Sequence, residues 1–339
     1  MKKFIAILFC IIIFCIVFFL GKVVKDNKNN NFIEKNESQK TINQTAEEIV
    51  EVEEKSNNRP IAVMIDNVGD AKPQSGLNKA YLVYEITVEG RLTRLMALFK
   101  DVELDNIGPV RSARPYFLDY ALENDAIFVH YGGSTQAFED ISTLNVNNIN
   151  GITEDSKKFW RISGKSAPHN VMTSTEKLES IIERKGYRTT TNVQSVFNNS
   201  NKEENLENGV DAINVKIPYT SSYCVRYKYD TETKKYVRSY NNTIQKDYYT
   251  NEIVSTKNII ISYIENIDTN DSAGRQILND VGTYDGYYIT NGKAIKIVCT
   301  KESRKAQTIY KDLNGNEINI NNGNTFVQIV PLNTQINIE

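Results

Sequence analysis

The sequence predicts an α+β fold: an amino-terminal α/β part with a mixed sheet and helices, followed by a smaller, mainly antiparallel β part. Three observations carry this reading. From Arg59 to about residue 205, continuous apolar runs of strand length alternate with stretches of helical period. Beyond that the chain turns to short, tyrosine-rich, β-branched runs. Asn291-Gly292 and Asn314-Gly315 separate such runs, and Asn-Gly is the strongest short-range hairpin signal.

The chain opens with an unbroken apolar run, Phe4 to Leu20, which as a helix covers roughly 25 Å, just enough to span a bilayer. No small-residue cleavage site follows it, and Cys10 and Cys15 each follow a Phe, which a lipoprotein peptidase would not accept. Residues 1–25 therefore read as an uncleaved membrane anchor, with a processed signal segment as the alternative. Lysines flank both sides, so charge does not set the orientation; a short tail before a long carboxy-terminal portion places that portion outside the cell. Residues 26–58 are Asn, Lys, Glu, Gln and Thr with no sustained period, and read as a disordered tether.

Order is expected from residue 59, with an α/β domain over 59–205 and a β-rich domain over 206–339. "RPIAVMIDN" is a strand buried on both faces and ends at Asp66. "KAYLVYEITVEG" and "TRLMALFKD" are the second and third strands, with Glu89, Gly90 and Arg91 at the turn between them. "SARPYFLDYALEND" is amphipathic, with Ser112 as expected cap and Pro115 in the first turn. "AIFVH" is another buried strand, "STQAFEDISTL" a helix capped by Ser134, and "STEKLESIIERKGY" a helix that starts at Ser174 or Thr175 and stops at Gly186. The polar stretch Asn192 to Asn208 marks the boundary; "AINVKI", "YCVRYKYD", "KYVRSY", "NIIISYI", "GYYITNGKAIKIVCT" and "NTFVQIVP" are the β runs that follow.

Lys+Arg 40 against Asp+Glu 42 makes the chain nearly neutral, which excludes a nucleic-acid binder of the general electrostatic kind. Any charge recognition must be local. Arg111 and Arg114 flank a helix start, and Gly132-Gly133 sit between a strand and a helix, so two turns of neighbouring βα units read as an anion-receptive edge. His130 ends a strand, and His169 with Asn170 lies in a Pro-containing loop; these are the chain's two histidines. Asp66 with Asn67 ends the first strand, and Glu85 and Glu89 flank the second turn. No HExxH-like or cysteine spacing points to a metal, no nucleophile motif is present, and no cofactor is implied. Cys224 and Cys299 read as packed free thiols, with a single bridge between them as the alternative.

Taken together, "RPIAVMIDN", "PQSGLNKAYLVYE", "GPVRSARPYF", "HYGGS", "APHNVMTSTEKL" and "NTFVQIVP" resemble the YerB-like family of bacterial envelope proteins, a two-part domain of unknown function. The resemblance runs from about Arg59 to about Pro331. It implies an α/β domain and a smaller β domain on the outer face of the membrane, and no activity. Family members are typically lipoproteins, whereas this chain offers an apolar segment without a lipobox. The family's polar positions fall on Asp66, Asn67, Glu85, Arg94, Arg111, Ser112, Arg114, His130, Gly132, Gly133, Ser134, His169 and Asn170.

These residues lead to an expected ligand-binding edge centred on Arg111, Arg114, Gly132 and Gly133, with an anionic or glycan cell-wall component or a wall-assembly partner as ligand. The alternative is an extracytoplasmic hydrolase with Asp66 or Glu85 as general base and His169 as partner acid. A third reading has the tyrosine-rich β part docking another membrane protein by strand addition.

Overall fold

A computed structural model describes residues 56–200, 202–272 and 274–339, and residues 57–339 form one compact unit. The expected anchor and most of the tether lie outside the described residues. At the start of the described residues, Thr191 N–H donates to the Asn57 carbonyl at 2.7 Å. Among the described residues no helix is long and apolar enough to cross a membrane.

The predicted first strands form where the apolar runs lie: β1 (Ile61–Asp66), β2 (Leu82–Thr87), β3 (Thr93–Phe99) and β4 (Ile127–His130), followed by the short β5 (Asn148–Asn150). The later runs give β6 (Asn214–Pro218), β7 (Cys224–Asp230), β8 (Lys235–Tyr240), β9 (Asn258–Asp268) and β10 (Gln276–Asn279). β11 (Gly282–Thr290), β12 (Lys293–Lys301), β13 (Ile309–Asp312) and β14 (Thr325–Pro331) complete the set used below. Asn291 and Gly292, both at positive φ, make the tight turn between β11 and β12.

One mixed sheet runs β13-β12-β11-β9-β14-β2-β3-β1-β4-β5, so strands from both halves of the chain share it. β14 is parallel to both β2 and β9, β1 is parallel to β4, and β1 is antiparallel to β3 with Asp66 opposite Arg94. A smaller antiparallel sheet is built around β6, β7 and β8.

Every residue of β1, β2 and β3 is buried because the large sheet is covered on both faces. Ala62 and Met64 face one core with Phe117, Tyr120, Ala137 and Ile141 from helices α1 (Pro115–Glu123) and α2 (Thr135–Thr143). Val63 and Ile65 face the other, with Leu178 and Ile181 from α3 (Thr175–Lys185) and Val215, Val225 and Tyr227 from the smaller sheet.

Ser134 caps α2, its Oγ accepting from Ala137 N–H at 3.2 Å, and Ser174 caps α3 while Gly186 closes it at φ 63°. Ser112 is not a cap. Arg114 holds that position and Pro115 begins α1, while the Ser112 hydroxyl donates to the Tyr131 carbonyl at 3.1 Å. Cys224 and Cys299 are both free thiols.

Candidate functional site

Asp66 stands at the carboxyl end of β1, where the segment after Gly108 runs alongside it. Asp66 N–H donates to the Pro109 carbonyl at 2.8 Å and Arg111 N–H to the Met64 carbonyl at 2.9 Å. This pairing delivers the Arg111 side chain to Asp66, with Nε 3.1 Å from Oδ2. The same oxygen accepts from His169 Nδ1 at 2.7 Å. Asp66 is 1% exposed, whereas the Arg111 and His169 side chains remain 24% and 19% exposed. A buried carboxylate thus holds two partly exposed cationic or donor groups, leaving His169 Nε2 and the Arg111 Nη edge without a hydrogen bond among the described residues.

Asn170 shapes the loop that carries His169. Its amide donates to the Ile162 and Lys165 carbonyls at 3.2 and 3.0 Å, and its Oδ1 accepts from Arg161 at 2.6 Å. Asn170 therefore positions the histidine and uses up its own polar atoms in doing so.

Behind Asp66 the polar groups continue inward. The Asn67 amide donates to Glu85 Oε1 at 2.9 Å and to Thr93 and the Tyr223 hydroxyl at 2.8 Å, while its Oδ1 accepts from Gln74 at 2.8 Å. Glu85 Oε2 pairs with Arg238 at 2.6 Å, and neither side chain is exposed at all. Arg238 also donates to Gln245, whose amide donates to Gln74 Oε1 at 2.7 Å. Both Glu85 oxygens are occupied, so Glu85 joins the two sheets and has no access to a substrate. Sequence reading missed Gln74, Tyr223, Arg238 and Gln245. Arg238 alone left a signal: it shares the inward-facing phase of β8 with Tyr236, an unusual place for a charge.

Two lysines flank this network. Lys72 Nζ lies 4.3 Å from the ring centres of both Tyr223 and Tyr240. Burial, reinforced by the positive Arg238, lowers its pKa to about 7. Lys165 Nζ donates to the Ala71 and Pro73 carbonyls, each at 2.7 Å; burial lowers it to about 8, partly opposed by the field of Asp66.

The remaining expected site residues take other partners. Arg114 pairs with Glu89, which also lies 3.5 Å from Arg94, and Arg94 donates to the Ser112 carbonyl at 2.7 Å. Arg111 and Arg114 therefore do not share one pocket. The Gly132 N–H donates to Asn150 Oδ1 at 3.0 Å, and its carbonyl accepts from Ala113 N–H at 2.9 Å and from His130 Nδ1 at 2.7 Å. Gly132 has φ 75°, and a Cβ there would lie 2.9 Å from Ile152. A Cβ on Gly133 would meet Ala113 and the Phe138 ring at 3.3 Å. The two turns do meet, but backbone to backbone, through the Ala113–Gly133 bridge, rather than around an open anion pocket. Fully buried His130 is held neutral, its pKa lowered by burial, and braces this crossing.

A mixed sheet shared by both parts of the chain, with a buried carboxylate at one strand end gripped by a histidine loop and an arginine, makes this a two-part α+β protein. The chain belongs to the family described as protein of unknown function DUF3048, whose amino-terminal domain matches residues 45–188 and whose carboxy-terminal domain matches residues 215–327. It is 32% identical over 284 residues to the Bacillus subtilis (strain 168) protein named "Putative lipoprotein YerB", covering 83% of this chain and 81% of that one. The crystal structure of YerB from Bacillus subtilis superposes with a TM-score of 0.74 at 29% identity, covering 83% of this chain and 94% of that structure.

Proposed function

We propose that this chain is a membrane-attached, extracytoplasmic binding protein whose ligand carries a carboxylate or phosphate, as cell-wall polymers do, and that the ligand engages Arg111 and His169. Attachment to the membrane follows the name of the Bacillus relative and the apolar run Phe4 to Leu20. One observation carries the ligand reading: Arg111 and His169 are both anchored on the Asp66 carboxylate, at 3.1 and 2.7 Å, with their outer nitrogens unused. Asp66 offers one negative charge to Arg111 and His169, with Lys72 and Lys165 also within its field. The balance favours an anion, and a guanidinium edge suits the two oxygens of a carboxylate or phosphate.

Titration calorimetry of the full-length chain with inorganic phosphate and with soluble wall fragments tests this. Arg111→Gln with His169→Gln is expected to abolish binding of both; undiminished affinity in the double variant overturns the reading.

A hydrolase is the second reading. A histidine whose Nδ1 is fixed on a buried carboxylate is the arrangement that orients Nε2 as a general acid or base. It requires that released product from muropeptides or phosphoesters disappear in a folded His169→Ala variant.

A further inference from the structure

The segment that follows β1 and the loop that carries His169 are joined by Lys165, whose Nζ donates to the Ala71 and Pro73 carbonyls, each at 2.7 Å. Lys72 leaves the backbone between those two carbonyls, so two amines belong to one junction, and both lie within the field of Asp66. Neither amine forms an ion pair among the described residues. The other acids beside this segment are accounted for. Glu85 is neutralised by Arg238. Asp247 accepts from the Ser75 hydroxyl at 3.1 Å and from the N–H groups of Gly76, Tyr249 and Thr250 at 2.7, 2.9 and 3.0 Å. Asp70 is exposed on the turn before Lys72. What remains inside is one carboxylate, Asp66, among Arg111, Lys72 and Lys165, with His169 on the same oxygen that Arg111 approaches.

A second observation concerns Lys72 itself. Its Nζ makes no hydrogen bond among the described residues and lies 4.3 Å from the ring centres of both Tyr223 and Tyr240. Tyr223 is held in place, its hydroxyl accepting from the Asn67 amide at 2.8 Å and donating to Glu85 Oε1 at 2.9 Å. Packing therefore positions the amine while its three donors stay unused. Ring faces attract an ammonium but offer it no lone pair. Burial, and then the positive Arg238, disfavour its charge. An arriving anion relieves that cost, which an exposed lysine never incurs.

We propose that the ligand of the Asp66 site carries two linked anionic groups, one held by Arg111 and His169 and the other by Lys72, with Lys165 adding its charge beside it. This rests on the anion reading above and adds a second subsite to it. The phosphates of a soluble diphosphate and successive phosphodiesters of a polymer share that chemistry. The probes are pyrophosphate and a short glycerol-phosphate oligomer, titrated into the full-length chain by calorimetry beside inorganic phosphate.

At least one probe is expected to bind about tenfold more tightly than inorganic phosphate, the gain of one partly buried ionic contact. Pyrophosphate as the tighter of the two assigns a diphosphate, and the oligomer as the tighter assigns a phosphodiester polymer. Lys72→Met keeps the stem between the two rings and breaks no hydrogen bond of the fold. It is expected to bring the tighter probe down to the affinity of phosphate. Phosphate binding with no gain for either probe, or a gain that Lys72→Met leaves intact, overturns the two-group ligand while the single-anion reading stands. Binding by none of the three overturns the anion reading itself, and this one with it.

Discussion

Glu85 and Arg238 form an ion pair of 2.6 Å in which neither side chain has any solvent exposure, joining β2 of the large sheet to β8 of the small one. A buried pair contributes little net stability against an apolar replacement, but breaking it strands a charge. Glu85→Gln is therefore expected to cost about 3–5 kcal/mol, with Arg238→Met similar. The double variant should cost clearly less than the two combined. Urea denaturation of all three measures this, and simple additivity would show that the pair is not a unit.

Lys72 has no carboxylate partner among the described residues and sits between two tyrosine rings with its pKa lowered to about 7. A large share of this amine is neutral at pH 7.5, unlike ordinary lysines. Competitive acylation read by mass spectrometry should show Lys72 labelling rising from pH 6 and levelling near pH 8. A Lys72 profile still rising steeply above pH 9 contradicts the assignment.

Gly132 bears on what the Gly-Gly turn is for. Its positive φ and the 2.9 Å approach of Ile152 make it a packing position. Gly132→Ala is expected to destabilise by about 1–3 kcal/mol. Phosphate affinity of the folded fraction should be unchanged, because the ligand reading rests on Arg111 and His169. A specific loss of affinity at full stability would return the turn to the binding surface.

The elements legible in the sequence are those whose causes are local. β1 to β4 announce themselves as apolar runs because both faces are covered, and Ser134, Ser174 and Gly186 mark helix ends through contacts within one turn. Ser112 misled because its hydroxyl turns to Tyr131, a partner 19 residues away. The insertion of β14 between β2 and β9 leaves no local trace, since parallel neighbours are chosen by tertiary packing. At the site, Asp66, Arg111 and His169 could be named singly as polar residues at strand ends and loops. Their meeting on one oxygen depends on a 103-residue separation. The same distance in sequence hid Gln74, Tyr223 and Gln245, which look like ordinary surface residues of turns and strands until the two sheets close over them.

Asp119 of α1 and Asp280, in the turn between β10 and β11, are buried together, flanked by Arg304, Lys301, Asp140 and Glu123. Burial raises both carboxyls, Asp119 to about 8 with help from its neighbour and Asp280 to about 6. The folded chain thus keeps protons that the unfolded chain releases near pH 4. Stability from this pair is fully present below about pH 4 and drains away as pH rises from there through 6 and 8, because the folded state binds more protons across that window. Asp280→Asn keeps a hydrogen-bond donor toward Asp119 and removes the second charge. Parent and variant are therefore expected to unfold alike near pH 3.5, below the unfolded carboxyl pKa, and the variant should be more stable by about 1–3 kcal/mol at pH 8. Taking the difference between the two proteins cancels other titrating groups such as Lys72. Urea midpoints measured from pH 3.5 to 8 decide it: a gap that closes or reverses with rising pH means that the two carboxyls do not share a proton in the folded chain.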